Sequence, residues 1–180
     1  MGAVTRNRAL AALVAVLVVA VGVYWFVVRT GSADPHVTVP KLVATIGEGD
    51  EAVGVSSGGA VVRWLPLPEE RPLPQLSLDQ VPKGSRVRGP ALEQVRVLAA
   101  VPDQLRPYVA GSYYGESGVD LELTTGIELR FGDASQAQRK WRAAAAILAD
   151  PSVTALDYVD LASPTRPSYD GEEYELPPAP

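Results

Sequence analysis

The chain has 180 residues, with 16 basic and 21 acidic side chains that give a formal net charge of −5. All of the acidic residues follow Arg29, and this acidic C-terminal part argues against a nucleic-acid-binding surface, because such surfaces are basic. Cysteine is absent and His36 is the only histidine, so the sequence excludes disulfides and thiolate metal sites.

An apolar run, broken only by glycine and by aromatic residues at its end, extends from Ala9 to Val28. A helix of about 20 residues spans roughly 30 Å, the thickness of a bilayer's hydrocarbon core. We interpret the run as a retained single-pass transmembrane helix, since a cleaved signal peptide usually has an apolar core of only ~7–15 residues. The positive-inside rule places residues 1–8 in the cytoplasm and the remainder outside the plasma membrane. The predicted membrane-interface residues are Arg6, Arg8, Tyr24, Trp25 and Arg29.

After a tether at 29–40, the next segments read as short strands and one helix. Strands are predicted at 42–46, 52–55 and 60–65, with a turn at 56–59 between the last two. Prolines and charges interrupt 66–89, which we interpret as a surface connection. A helix is predicted to begin at Pro90, because proline suits the first helical position and apolar residues follow at helical spacing. A further strand is predicted at 109–114.

Alternating apolar residues at 119–123 and 127–131 predict a β-hairpin. The apolar side chains of both strands must share one face, so Leu123 has to pair with Ile127. A two-residue loop would pair Leu123 with Glu128 instead. The sequence therefore predicts a three-residue loop, 124–126, with Gly126 in the left-handed conformation.

A second helix is predicted from Ser135, which together with Gln138 has the pattern of a capping box. Its apolar face includes Trp141, and Lys140 is expected to lie off that face in solvent. A last strand is predicted at 156–161, followed by an acidic, proline-containing tail at 168–180 that we expect to be disordered. The predicted fold class is α+β: one transmembrane helix, then a mostly antiparallel sheet with two packed helices.

Reactive groups that could act together are scarce in this sequence. His36 lies in the tether, and Asp157 and Asp160 should point to opposite faces of a strand. Trp64 and Trp141 are expected to be core residues. We therefore expect no enzymatic activity and no metal or cofactor.

Binding at a sheet edge remains as a candidate activity. If the tail is disordered, the strand at 156–161 is an open edge, and such edges bind a partner by accepting its strand. Tyr158 and Tyr169 are candidate anchors, because aromatic residues are enriched in binding hot spots. The alternative is that this strand only completes the sheet.

Several segments resemble the C-terminal β domain of the bacterial cell division family FtsQ/DivIB. They are the hairpin and Gly-Asp at 118–133, Arg139-Lys140-Trp141, Leu156 to Leu161, Arg166-Pro167, and the shorter matches at 58–62 and 73–76. The resemblance covers roughly 42–167. The family normally carries a POTRA domain between anchor and β domain, for which the tether at 29–40 is too short.

The resemblance implies a divisome scaffold that binds FtsB/DivIC-like and FtsL-like partners and helps to control septal cell-wall synthesis. It implies partner binding by Leu156, Tyr158, Asp160 and Leu161, to which our own reasoning adds Tyr169. It also implies a location at the division septum. The alternative function is that of an extracytoplasmic ligand-sensing or regulatory subunit of an envelope enzyme.

Overall fold

The computed structural model describes residues 39–68, 72–78 and 80–176. Among them are two α-helices and nine strands: β1 Leu42–Ile46, β2 Val53–Ser56, β3 Val61–Val62, β4 Gln75–Leu76, α1 Pro90–Ala99, β5 Val109–Gly115, β6 Gly118–Leu123, β7 Glu128–Gly132, α2 Ala137–Leu148, β8 Ala155–Asp160 and β9 Ser168–Glu175.

The predicted transmembrane helix and all five predicted membrane-interface residues lie outside the described residues. Within the described residues, no helix has the length and hydrophobicity needed to cross a bilayer.

The strands form one sheet in the order β3-β2-β1-β4-β5-β6-β7-β8-β9. Five neighbouring pairs are antiparallel, whereas β1–β4, β4–β5 and β7–β8 are parallel. This arrangement confirms the α+β class with a mostly antiparallel sheet and two helices. The sequence did not predict β4, because two residues are too few to show a strand period. Here the connection at 66–89 enters the sheet instead of running only over the surface.

The hairpin of β6 and β7 has the predicted register from its loop to the Asp120–Arg130 pair, beyond which the register shifts and Val119 lies opposite Gly132. Leu121 lies opposite Leu129, and the Leu123 N–H donates to the Ile127 carbonyl at 2.9 Å. The loop is therefore 124–126, and Gly126 has a φ of 94°. A prediction made from side-chain alternation alone is confirmed by the backbone.

Both helices pack on the same face of the sheet. Trp141 of α2 is fully buried, and its ring centroid lies 4.9 Å from that of Phe131 on β7. Its indole N–H donates to the Val97 carbonyl of α1 at 2.9 Å, which joins the two helices. Helix α1 begins at Pro90, as predicted. The prediction for Trp64 is wrong, because this side chain is 66% exposed.

The prediction that Lys140 of α2 lies in solvent is wrong. The residue is only 1% exposed, and its Nζ donates to the Phe131 carbonyl, the Asp133 carbonyl and the Asp133 carboxylate at 2.7, 3.0 and 2.9 Å. All three ammonium donors are therefore used, which offsets the cost of burying the charge. Lys140 ties the start of α2 to the end of β7.

The predicted capping box is also wrong. Helix α2 begins after Gln136, which has left-handed backbone geometry and makes no side-chain capping bond. Ser135 instead donates its N–H and its hydroxyl to the Asp133 carboxylate at 3.0 and 2.6 Å. These bonds, followed by that of Lys140, lower the pKa of Asp133. The turn before α2 is therefore organised around Asp133.

Replacing Lys140 tests its structural role. Lys140→Met removes three hydrogen bonds and leaves two carbonyls without this donor, so we expect a loss of about 2–4 kcal/mol in the free energy of unfolding. Arg142→Met, at an exposed position of the same helix, should change it by less than about 0.5 kcal/mol. Urea denaturation followed by circular dichroism measures both; equal effects would show that Lys140 is dispensable.

Candidate functional site

The sheet ends with β9, not with β8. Strand β9 pairs antiparallel with β8, with Val159 opposite Tyr169 and Leu156 opposite Tyr174. Strand β7 occupies the other side of β8. The prediction of an open edge at 156–161 is therefore wrong, and so is the prediction of a disordered tail for the residues that form β9. One aromatic side chain of the tail, that of Tyr174, packs against the hydrophobic core.

The opposite end of the sheet is occupied by the chain itself. The Val61 N–H donates to the Ser85 carbonyl, and the Val87 N–H donates to the Gly59 carbonyl, both at 2.9 Å. Ala60 and Arg86 form a bridge between these bonds. Among the described residues, the end of the sheet that remains available is therefore β9.

Two of the predicted partner-binding residues belong to the core. Leu156 is 1% exposed and Leu161 is 0% exposed, so neither side chain can contact a partner in this fold. The Leu161 N–H donates to the Arg130 carbonyl at 2.8 Å, which extends the pairing of β8 with β7. Leu156 and Leu161 looked like residues of a binding strand in the sequence. In the structure they lie on the buried face of β8, which is an internal strand.

The other three predicted residues lie on different sides of the sheet. Tyr158 and Asp160 are half-buried on the face opposite the helices, whereas Tyr169 pairs with the buried Val159 and lies on the helix side. The Asp160 carboxylate accepts the Ala162 N–H at 2.8 Å. Tyr169 is 48% exposed and is the one residue of the five that lies on the edge strand. The structure thus separates the predicted site instead of assembling it.

A bulge, with three residues of β9 opposite one residue of β8, divides β9 into two parts. Residues 171–173 all lie opposite Asp157, whose carboxylate accepts the Glu173 N–H at 2.7 Å. Gly171 has a φ of 111°, and a Cβ built there would lie 2.1 Å from Cγ of Asp157. Only glycine fits this position. Bulges of this kind limit indiscriminate pairing at a sheet edge.

The backbone of Tyr169 faces the open side of β9. Because the Leu161 N–H bonds to β7, strand alternation directs the backbone groups of Tyr158 and Asp160 toward β9. The pair between them, Val159 and Tyr169, is then the non-hydrogen-bonded kind, and the N–H and C=O of Tyr169 point away from β8. This residue offers a donor and an acceptor to an incoming strand.

A polar cluster occupies the face of the sheet opposite the helices, which we call the outer face. It carries two cross-strand rows: Tyr113, Asp120, Arg130, Asp160 and Ser168 in one, and Gly111, Glu122, Glu128, Tyr158 and Asp170 in the other. Side chains at alternate positions of the same strands, such as Leu121 and Leu129, are buried under the helices.

Glu128 is the centre of this cluster. It accepts the Tyr113 hydroxyl at 2.5 Å and two Arg130 donors at 2.8 and 3.1 Å, while Cζ of Arg130 lies 3.9 Å from the ring centroid of Tyr158. Burial acts to raise the pKa of Glu128, but the hydrogen bonds from Arg130 and Tyr113 outweigh it, so the pKa is lowered. Burial and the bond to Glu128 raise the pKa of Tyr113.

Asp120 lies beside this network without joining it. The residue is 7% exposed, and its Oδ1 has no hydrogen-bond partner among the described residues. Burial raises the pKa of Asp120, and the Glu128 carboxylate raises it further, whereas Arg130 lowers it. Sequence reasoning missed this residue because its alternation with Val119 and Leu121 indicates a solvated position.

An open groove of about 730 Å³ lies where β1 and β5 extend past the short β4. Its lining includes Leu76, Tyr114 and Gln94. Gln94 is 1% exposed and accepts the Ser112 hydroxyl at 3.0 Å, but its Nε2 has no partner among the described residues. The groove therefore has a mixed polar and apolar lining that includes one unused amide donor.

Comparison with known families identifies this fold. Residues 44–162 match the family model described as "Cell division protein FtsQ/DivIB, C-terminal". The match covers more than half of the chain and runs from β1 to just beyond β8. The chain belongs to the FtsQ/DivIB family. A search of curated proteins gives no significant match. The family match indicates a cell division protein and confirms the resemblance, while β9 lies beyond the matched residues.

In this FtsQ/DivIB family member, Gly171→Ala tests whether the bulge holds β9 in place. The added Cβ collides with the Asp157 backbone and side chain, so we expect local destabilisation by about 2 kcal/mol or more. Limited proteolysis should then cut within 168–175 much faster than in the wild type. Gly84→Ala is the matched control, because nothing lies within 4 Å of its Cβ position. Equal cleavage of both variants would contradict the pairing described here.

The pH dependence of Asp120→Asn tests the buried carboxylate. Because the pKa of Asp120 is raised in the folded state, ionisation of this group opposes folding at neutral pH. The substitution should therefore increase the free energy of unfolding at pH 7. The gain should shrink as the pH falls toward the ordinary value of 3.8, where the wild-type carboxyl is protonated as well. Urea denaturation at pH 7 and pH 4 measures this difference.

The exposed loop variant Glu116→Gln is the control for Asp120→Asn, and it should change stability little at either pH. Loss of stability in Asp120→Asn at pH 7, or a gain that does not depend on pH, would contradict the assignment of an unfavourable buried charge.

Proposed function

We propose that this FtsQ/DivIB family member is a non-enzymatic scaffold of the division machinery that binds partner proteins by strand addition at β9. Two observations support the proposal: the family match, and the outward-facing backbone of Tyr169 at the available end of the sheet. The second observation carries the choice of site. In strand addition, main-chain hydrogen bonds supply affinity and alternate side chains supply specificity.

The bulge and the charge of β9 restrict what can pair with it. The regular part before the bulge covers only 168–170, so the paired segment is short. Asp170, Glu172, Glu173 and Glu175 give the strand four acidic residues and no basic ones. Two copies of β9 would repel each other, whereas a strand with lysine or arginine would be attracted. We therefore propose a partner strand that carries basic residues.

The proposal includes the cellular setting that the sequence indicates. The apolar segment at 9–28 anchors the chain in the plasma membrane, with residues 1–8 in the cytoplasm and the sheet outside. FtsB/DivIC-like and FtsL-like proteins of the same organism are the proposed partners, and the septum is the proposed location. In this setting the domain helps to control septal cell-wall synthesis by holding its partners together.

Tyr169→Pro tests strand addition directly. Proline removes the outward N–H while the bonds of the neighbouring pairs to β8 remain, so we expect loss of partner binding in a folded protein. Tyr169→Ala keeps the backbone donor and should weaken the affinity by about tenfold at most. Co-purification of the full-length chain with its FtsB/DivIC-like and FtsL-like proteins measures both effects.

Circular dichroism is the folding control for Tyr169→Pro. Unchanged co-purification of the folded proline variant would rule out pairing at β9. A full effect in Tyr169→Ala, equal to that of the proline variant, would show that the side chain and not the backbone carries the interaction.

A further inference from the structure

The outer face carries far more negative than positive charge. Its rows contain Asp120, Glu122, Glu128, Asp160 and Asp170, but the one basic side chain in them is Arg130. Arg130 is already bound to Glu128 at 2.8 Å and lies over Tyr158. Four carboxylates on this face therefore have no cation of their own among the described residues.

The burial of Asp120 distinguishes the outer face from an acidic surface whose carboxylates are all hydrated. A carboxylate in water is well hydrated, but Asp120 is 93% buried and one of its oxygens is unpaired. Leaving a buried charge unpaired is costly, and a cation placed beside it would remove most of that cost. Asp120 thus points to a ligand that the isolated chain does not supply.

The neighbours of Asp120 define what that ligand must be. Tyr113 lies opposite it on β5 and Arg130 on β7, and both side chains are bound to Glu128. Tyrosine and arginine are among the residue types enriched in protein interfaces, and here they border an acidic centre. A metal ion fits poorly, because no group of three or more carboxylate or histidine ligands with metal-binding geometry occurs among the described residues.

We infer that the outer face is a docking surface for a lysine- or arginine-bearing segment of another protein, whose cation pairs with Asp120. Asp120 is three strands away from β9, or roughly 14 Å at the usual strand spacing. The rows of the outer face reach β9 at Ser168 and Asp170, but the proposed contact at Asp120 lies away from that edge, so the inference does not depend on strand addition there. Because the outer face is acidic, charge complementarity favours a basic segment as its occupant.

A peptide-binding experiment on the full-length chain in non-ionic detergent micelles tests this inference. The probes are a labelled peptide in which arginine alternates with threonine and a matched peptide with glutamate in place of arginine. Fluorescence anisotropy at about 0.15 M salt, where long-range attraction is screened, should show binding of the arginine probe and not of the glutamate probe.

The double variant Asp120→Asn with Glu122→Gln should weaken binding of the arginine probe by at least ~10-fold. The control, Glu51→Gln with Asp150→Asn, removes the same charge from exposed positions away from the outer face and should weaken binding less than ~2-fold. Equal losses in the two variants, or no binding of the arginine probe to the wild type, would overturn the inference.

A second measurement separates another protein from a second copy of this chain. Lys83, Arg86 and Arg88 form an exposed basic segment that could fill the same role. Sedimentation velocity should give the same monomer for the wild type and for Lys83→Glu with Arg88→Glu. Self-association that disappears in this variant would assign the outer face to a second copy and overturn the inference.

Discussion

The pairing of β9 with β8 determines which part of this sheet another protein can reach. Without β9, the strand β8 would be the edge of the sheet. With β9 paired to it, β8 is internal, and Leu156 and Leu161 belong to the core. The bulge in this pairing requires the backbone conformation of Gly171, which allows three residues of β9 to lie opposite Asp157. The binding hypothesis therefore moves by one strand, from β8 to β9.

Patterns in neighbouring residues of the sequence predict those parts of the fold that contacts between neighbouring residues determine. The hairpin register follows from alternation at 119–131, and the start of α1 follows from Pro90. The two-residue strand β4 and the burial of Lys140 do not follow from any local pattern. Lys140 looks like a solvated helix residue until the carbonyls of Phe131 and Asp133 are placed beside it by the end of β7.

The candidate site was less predictable than the fold for the same reason. The sequence from Ser168 to Glu175 is acidic, and mean composition favours disorder there, yet Tyr169 and Tyr174 each lie opposite a buried residue of β8. The two tyrosines and the glycine between them were the available signal. Of the five predicted partner-binding residues, Tyr169 keeps an accessible place at the edge, and Asp120 emerges only from the three-dimensional structure.

The β9 edge and the outer face are two surfaces that offer a partner different types of interaction. The edge offers backbone hydrogen bonds over a short segment, while the outer face offers charge around a desolvated carboxylate. Backbone pairing accepts many sequences, so charge on β9 and on the outer face can provide the selectivity that pairing lacks. Such a division of roles would suit the scaffold that we propose.

Amide hydrogen exchange of the full-length chain, with and without its FtsB/DivIC-like partner, tests this account most directly. The account predicts slow exchange at Tyr158 and Asp160 in the free protein, fast exchange at Tyr169, and protection of Tyr169 when the partner is added. Fast exchange at Tyr158 and Asp160 that slows only with the partner would contradict it, because β8 and not β9 would then be the binding edge.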